Sequence, residues 1–343
     1  MSRLFIRGCG VVSPAGWGME SFRQALAANT ELPSKPLSRP GSTAAMSGRS
    51  VPPPPNPRPA ILTHPRLRRA SPISQYATFA ATESLGGDLE SVQRGTLKLG
   101  LILCVTSGCI TYTRRFYDEV LKAPATASPL LFPETVFNAP ASHIAALLGT
   151  TAPAYTLLGD QGTYLTALAL AADWLEQRIV DGCTVVAAEE LDWLRTYAME
   201  LLDRQLKVSE GAGALYLSST GAEEGLVEVS AITDPQLYTN LQSKTQAIRK
   251  AQEELGPYSE GTLLCDGLQG SPRTDQQEAE AWASWHGPRI SPKLILGEAL
   301  MASTAWQCIA VADLLQKQKY PSGVVSVAGC NEQAIMARFA PSS

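Results

Sequence analysis

Gln161 stands where this chain would display a nucleophile. The apolar run 154–158 reads as a strand, and Gly159-Asp160 breaks it. Residues 163–179 then set Leu165, Leu168, Ala171, Ala172, Leu175 and Ile179 at helical spacing. Asp181-Gly182 stops that helix and 183–188 is a short apolar strand. A sharp strand-to-helix turn holds its side chain at a helix N-terminus, which favours developing negative charge. Ser or Cys there could attack a carbonyl; a primary amide neither titrates near neutral pH nor carries an acyl group. Asp160, and Glu189-Glu190 at a strand end, could imitate a carboxylate pair for acid–base work, but capping of backbone N–H groups is the simpler reading.

The other reactive side chains are scattered. The seven cysteines, Cys9, Cys104, Cys109, Cys183, Cys265, Cys308 and Cys330, lie mostly inside apolar runs and never at Cys-x-x-Cys spacing, so buried free thiols are expected. The three histidines, His64, His143 and His286, fall in a Pro-rich segment, a helix and a loop, and none lies beside a cysteine in sequence. Metal-ligand spacing is missing.

The elements that must hold Gln161 follow in chain order. A strand at 4–6 enters a Gly/Pro turn, and 19–28 reads as an amphipathic helix. Residues 31–69 contain ten prolines and few large apolar side chains, which predicts a surface excursion that builds no core; a Pro-rich docking motif is the functional alternative. Helices are expected at 73–85, 113–121, 138–148 and 193–208, and strands at 97–106 and 209–217. The second half repeats the outline: strand 225–230, helix 235–255, strand 262–265, helices 275–285 and 299–316, and a final strand 323–327. Halves at 1–218 and 219–343, both βαβ-rich, suit a duplicated architecture.

This order of motifs resembles the β-ketoacyl synthases of the thiolase superfamily. The strand, turn, Ala-rich helix, Asp-Gly and strand ending in Glu resemble the nucleophile segment, with Gln161 at the position of the active Cys. Gly8-Cys9-Gly10-Val11-Val12-Ser13-Pro14, Glu210-Gly211-Ala212-Gly213 and Val327-Ala328-Gly329-Cys330-Asn331 resemble three further family segments. The resemblance implies an α/β, thiolase-like fold whose duplicated halves stack in five α-β-α-β-α layers. It also implies two His residues that stabilise an enolate during malonyl decarboxylation. Gly267 stands at the first His position, before Asp275-Gln276-Gln277-Glu278. The second falls on Glu298, in Lys293-Leu294-Ile295-Leu296-Gly297-Glu298, where the family Lys is kept. An anionic Glu repels an enolate, so a Lys293–Glu298 ion pair is expected.

A chain of this family with Gln for Cys resembles the chain-length factors of type II polyketide and aryl polyene synthases, and also the Gln-type decarboxylating ketosynthases. The first resemblance implies a catalytically inactive subunit that forms a heterodimer with a Cys-containing β-ketoacyl synthase and shapes its acyl tunnel. It needs no cofactor of its own, since substrates arrive on the phosphopantetheine of an acyl carrier protein bound by the complex. Cys109, Tyr112 and Phe116, with Leu131 or Phe132, would then gate chain length; the aromatic residues also suit plain packing on one helix face. The second implies a malonyl-carrier-protein decarboxylase, against which the loss of both His positions counts. A homodimeric acyltransferase with an unrecognised thiol is the third reading.

Composition narrows the classes further. The chain has 343 residues, 45% of them hydrophobic and 17% charged, enough for a large core. A net charge of −4 gives no electrostatic footprint for nucleic acid, and Arg66-Leu67-Arg68-Arg69 is too short to change that. The opening MSRLFIRGCGVV lacks a signal-type apolar region, and no run reaches the roughly 18 apolar residues of a membrane span, so a soluble, cytoplasmic protein is expected.

Overall fold

The computed structural model describes residues 3–41, 43, 45–220, 225–329 and 333–342. Ten strands carry the architecture: β1 (Phe5–Ser13), β2 (Leu99–Val105), β3 (Ala154–Leu158), β4 (Gly182–Glu189), β5 (Gly211–Ser218), β6 (Val227–Ile232), β7 (Leu263–Cys265), β8 (Arg289–Ile290), β9 (Gly323–Ala328) and β10 (Gln333–Pro341). They run in the order β8-β7-β9-β10-β6-β1-β5-β4-β2-β3. The first five strands are ordered 3-2-4-5-1, and so are the second five counted from β6. Orientation repeats as well. β2 is parallel to β3 and β4, while β5 is antiparallel to β4 and β1; β7 is parallel to β8 and β9, while β10 is antiparallel to β9 and β6. The two sets meet where Phe5 and Ile6 of β1 pair with Glu228 and Val227 of β6.

Alternation along the strands explains the layers. In β2, Leu99, Leu101, Leu103 and Val105 face helices α2 (Pro72–Leu85) and, further along, α4 (Ala139–Leu148), whereas Ile102 and Cys104 face the opposite core. In β10, Ala334 and Met336 pack with α7 (Leu241–Leu255), while Ile335, Ala337 and Phe339 join that same opposite core. Strands covered on both faces read as continuous apolar runs. The shared middle layer is made of α5 (Thr163–Glu176) and α9 (Met301–Gln316), giving the α-β-α-β-α stack.

Helix α9 is buried all round from Met301 to Asp313, and its Trp306 indole donates to the Ala212 carbonyl at 3.0 Å. Gly211 and Gly213 permit that approach. A Cβ at Gly213 would lie 2.7 Å from the Ala305 Cβ, and one at Gly211 2.8 Å from the Trp306 ring, with φ +147° at Gly211. The Gly-Ala-Gly run is therefore a seat for the central helix.

Several expectations are corrected. The helix expected over 193–208 is α6 (Trp193–Leu202): Asp203, buried and bonded by the Ser271 hydroxyl and the Gln205 N–H, turns the chain out. The helix expected from 235 starts at Leu241 because Gln236–Leu237 pairs with β10 instead. The helix at 275–285 is α8 (Pro272–Ala281). Strand β9 is not the last: β10 follows it, its alternating apolar residues paired on both edges. The Pro-rich excursion does build core. Met46 and Val51 are buried, Leu62 and Leu67 pack with Ala70, and the Arg49 guanidinium bonds the Leu294 and Ile295 carbonyls at 2.9 Å each and Glu31 at 2.9 Å. Cys330 and Asn331 of the closing motif lie outside the described residues.

Candidate functional site

The turn after β3 is tied down by its carboxylate. Asp160 is fully buried; its Oδ1 accepts the Gly162 N–H at 3.0 Å and the Gln333 side-chain amide bonds the same carboxylate. Asp160 thus caps the turn and ties it to the start of β10, the structural alternative raised for it in the sequence. Gln161 is itself 4% exposed. The carboxylate presses on Gly329, where an added Cβ would fall 1.8 Å from Asp160 Oδ2. We expect Gly329→Ala to cost about 1–3 kcal/mol of stability in urea unfolding, through overpacking at this contact. An unchanged midpoint would show that the turn does not depend on that approach.

Glu189 and Glu190 are latches as well. Glu189 accepts from the Thr106 and Ser107 N–H groups and the Ser107 hydroxyl, with Arg195 at 3.5 Å. Glu190 accepts from Ile73 N at 3.1 Å and from Thr111 N at 2.7 Å, at the first turn of α3 (Ile110–Lys122). Glu210 accepts from Val51 N at 3.0 Å and Leu191 N at 2.8 Å. Burial pushes Glu190 up to about 7 against its backbone donors. An acid raised by folding holds more protons folded than unfolded, so Glu190 makes stability fall as pH rises from about 4.5 to 7. Glu190→Gln is expected to flatten the urea midpoint over that window; an unchanged slope would contradict it.

The two degenerate His positions are filled from within. Glu298 is 1% exposed and Lys293 3%. Lys293 Nζ meets Glu298 Oε2 at 2.8 Å, and the Leu300 N–H donates to Oε1 at 2.6 Å. Burial is the largest single influence and would lower the Lys293 ammonium, but the charge and hydrogen bond of Glu298, with the charges of Glu278 and Asp275, together hold the pKa above its ordinary value. At the other position the Gly267 N–H donates to Glu278 Oε1 at 2.9 Å, which also accepts the Ser326 hydroxyl at 2.9 Å. A Cβ on Gly267 would lie 2.8 Å from Glu278 Oε2, so Glu278 occupies the start of the path a His side chain would take. The turn at Gln161 follows β3, Gly267 follows β7, and Glu298 precedes α9: loops at the ends of parallel strands and a helix start carry all three.

The proposed gate residues divide between interior and surface. Cys109 is buried at the start of α3, within hydrogen-bond reach of the Ser71 hydroxyl at 3.5 Å and the Val136 carbonyl at 3.7 Å; burial pushes its thiol up to about 12. Leu131 is buried too. Tyr112 and Phe116 are half-buried, and the Phe116 ring meets Phe132 at 5.6 Å between centroids, with Phe132 56% exposed. The cysteines among the described residues are all free thiols, and those in the core are raised by burial, the reverse of an activated nucleophile. His143 pairs with Glu134 at 2.9 Å, while His64 accepts from the Arg66 N–H. Among the described residues no metal-binding cluster occurs, and no helix is long and apolar enough to cross a membrane. Which loops Glu190 and Glu210 latch was not readable from sequence, because Thr111, Ile73 and Val51 lie 79, 117 and 159 residues from the carboxylates that hold them.

No protein-family model and no curated protein matches this chain. Solved structures do. The chain is similar to the ishigamide ketosynthase/chain length factor, with a TM-score of 0.82 and 17% identity over 99% of this chain and 100% of that one. It is similar to a β-ketoacyl synthase from Burkholderia phymatum, with a TM-score of 0.79 and 15% identity over 99% and 100%. It is also similar to a chain of the ketosynthase ApeO in complex with its chain length factor ApeC from Xenorhabdus doucetiae, with a TM-score of 0.79 and 14% identity over 99% and 98%. The duplicated sheet, the paired central helices and these superpositions together establish that the chain has the thiolase-like fold of ketosynthases.

Proposed function

We propose that this chain is a non-catalytic, chain-length-factor-like subunit that pairs with a Cys-bearing β-ketoacyl synthase and forms part of its acyl tunnel, in type II polyketide or aryl polyene assembly. One observation carries the reading: the three positions where the chemistry would reside hold a buried amide, a glycine backed by Glu278, and a carboxylate neutralised by Lys293. None of these supplies a thiolate, and neither His position holds an imidazole to stabilise an enolate. The chemistry, a decarboxylative condensation of malonyl and acyl groups carried on phosphopantetheine, belongs to the partner.

The surface supports a partner. Edge strand β3 leaves Tyr155 and Leu158 52% and 55% exposed, and α3 contains no fully buried residue. Tyr117, Leu121, Leu130, Phe132 and Phe137 are exposed in α3 and the segment after it. An apolar edge of this kind is a template for pairing and is costly to leave in water. In this reading Phe116, Phe132 and Tyr112 bound the tunnel from this side, and acyl carrier protein is engaged by the complex.

The test is decarboxylation of malonyl-loaded acyl carrier protein by the purified chain alone. The subunit reading expects no CO₂ release above the chain-free control. Release that vanishes in Gln161→Ala would replace it with the decarboxylase reading.

A further inference from the structure

A cavity of about 560 Å³ opens between α1 (Met19–Ala28), the segment at Arg289–Ser291 and the C-terminal end of α9, and neither Gln161, Gly267 nor Glu298 lines it. Its volume falls in the range of small-molecule sites. Its walls are apolar, with Phe22, Leu26, Ile290 and Leu314 among them, and four cations border it: Arg23, Arg289, Lys317 and Lys319. Asp313 is the one carboxylate in the lining, so the lining carries a formal charge of 4 − 1 = +3 in a chain whose net charge is −4.

How those charges are paired decides which ones are available. Asp313 serves two cations at once: Arg23 reaches Oδ1 at 2.7 Å and Lys317 reaches Oδ2 at 2.7 Å. Arg289 has longer contacts, 3.4 Å to Asp266 and 3.4 Å to the Trp282 carbonyl, and its side chain is 32% exposed. Lys319 makes no ion pair among the described residues. Arg289 and Lys319 therefore offer charge to a ligand while Asp313 is already saturated. The carboxyl terminus of α9 adds partial negative charge here, which the two lysines beyond it offset.

We propose that this cavity binds an amphiphilic anion: a carboxylate or phosphate head held by Arg289 and Lys319, with an aliphatic tail against Phe22, Leu26 and Leu314. Charge fixes the head, and burial of the tail's methylenes away from water supplies affinity. None of Gln161, Gly267 and Glu298 lines the site, and it shares no residue with the apolar edge at β3, so the inference does not depend on the subunit reading.

Isothermal titration of the full chain, with any copurifying partner present, tests it using octanoate, octyl phosphate and octanol. Saturable binding of octanoate or octyl phosphate is expected, with octanol at least tenfold weaker. The better of the two anions identifies the head group. Lys319→Glu, at an exposed position, should weaken the anion at least fivefold and leave octanol unchanged; Leu314→Trp should weaken both by filling the cavity. No saturable binding of either anion would overturn the proposal. So would equal binding of octanol, or an anion affinity indifferent to both substitutions in variants whose unfolding midpoints match the parent.

Discussion

Replacing Lys293 with methionine is expected to destabilise the folded chain by about 3–5 kcal/mol, the cost of leaving one member of a buried ion pair uncompensated. Glu298 would then keep only the Leu300 N–H, at 1% exposure. Its cheapest response is to bind a proton, so its folded-state pKa would rise above the unfolded value. The penalty should then be full at neutral pH and fade as pH falls toward the unfolded carboxylate range. The double variant Lys293→Met/Glu298→Gln removes both charges and should recover much of the loss. Urea unfolding of the three proteins at pH 7 and pH 5 distinguishes the cases. If Lys293→Met unfolds like the parent at both pH values, the pair is not the structural replacement for catalytic chemistry that its geometry describes.

The second large effect concerns the edge. Leu158→Asp places a charge at a position 55% exposed in the isolated chain, so folding should be little changed. In the proposed heterodimer the same residue lies in the desolvated part of the contact. A buried interface charge of this kind costs about 2–4 kcal/mol, a loss of roughly 30- to 1,000-fold in affinity. Copurification with the ketosynthase should be abolished while the circular dichroism of the isolated chain is retained. A complex that survives the substitution would place the partner surface elsewhere.

What the sequence could and could not reveal follows from the range of the interactions. Local pattern sufficed for α1 and β3, whose bounds, Met19–Ala28 and Ala154–Leu158, coincide with the expected ones, and for the buried helix between β3 and β4. The Lys293–Glu298 pair was also legible, because five residues separate its members. Errors arose where distant contacts decide. Asp203 ends α6 by bonding Ser271, 68 residues on, and the excursion gains its core role through Arg49, whose two carbonyl partners lie 245 and 246 residues away. Strand β10 was missed although Ala334, Met336 and Ile335, Ala337 alternate, since its pairing partners β9 and β6 were needed to recognise an edge-free strand. Asp160, Glu189 and Glu190 could have imitated an acid–base pair, but the simpler reading, capping of backbone N–H groups, is the one their contacts bear out.

Coexpression with a Cys-bearing ketosynthase from the same genome, followed by native mass measurement and a condensation assay, tests the central claim most directly. The account predicts a one-to-one heterodimer that condenses malonyl units, with this chain inert alone. A stable homodimer that ignores the ketosynthase, or condensation by the ketosynthase unchanged in its absence, would contradict it.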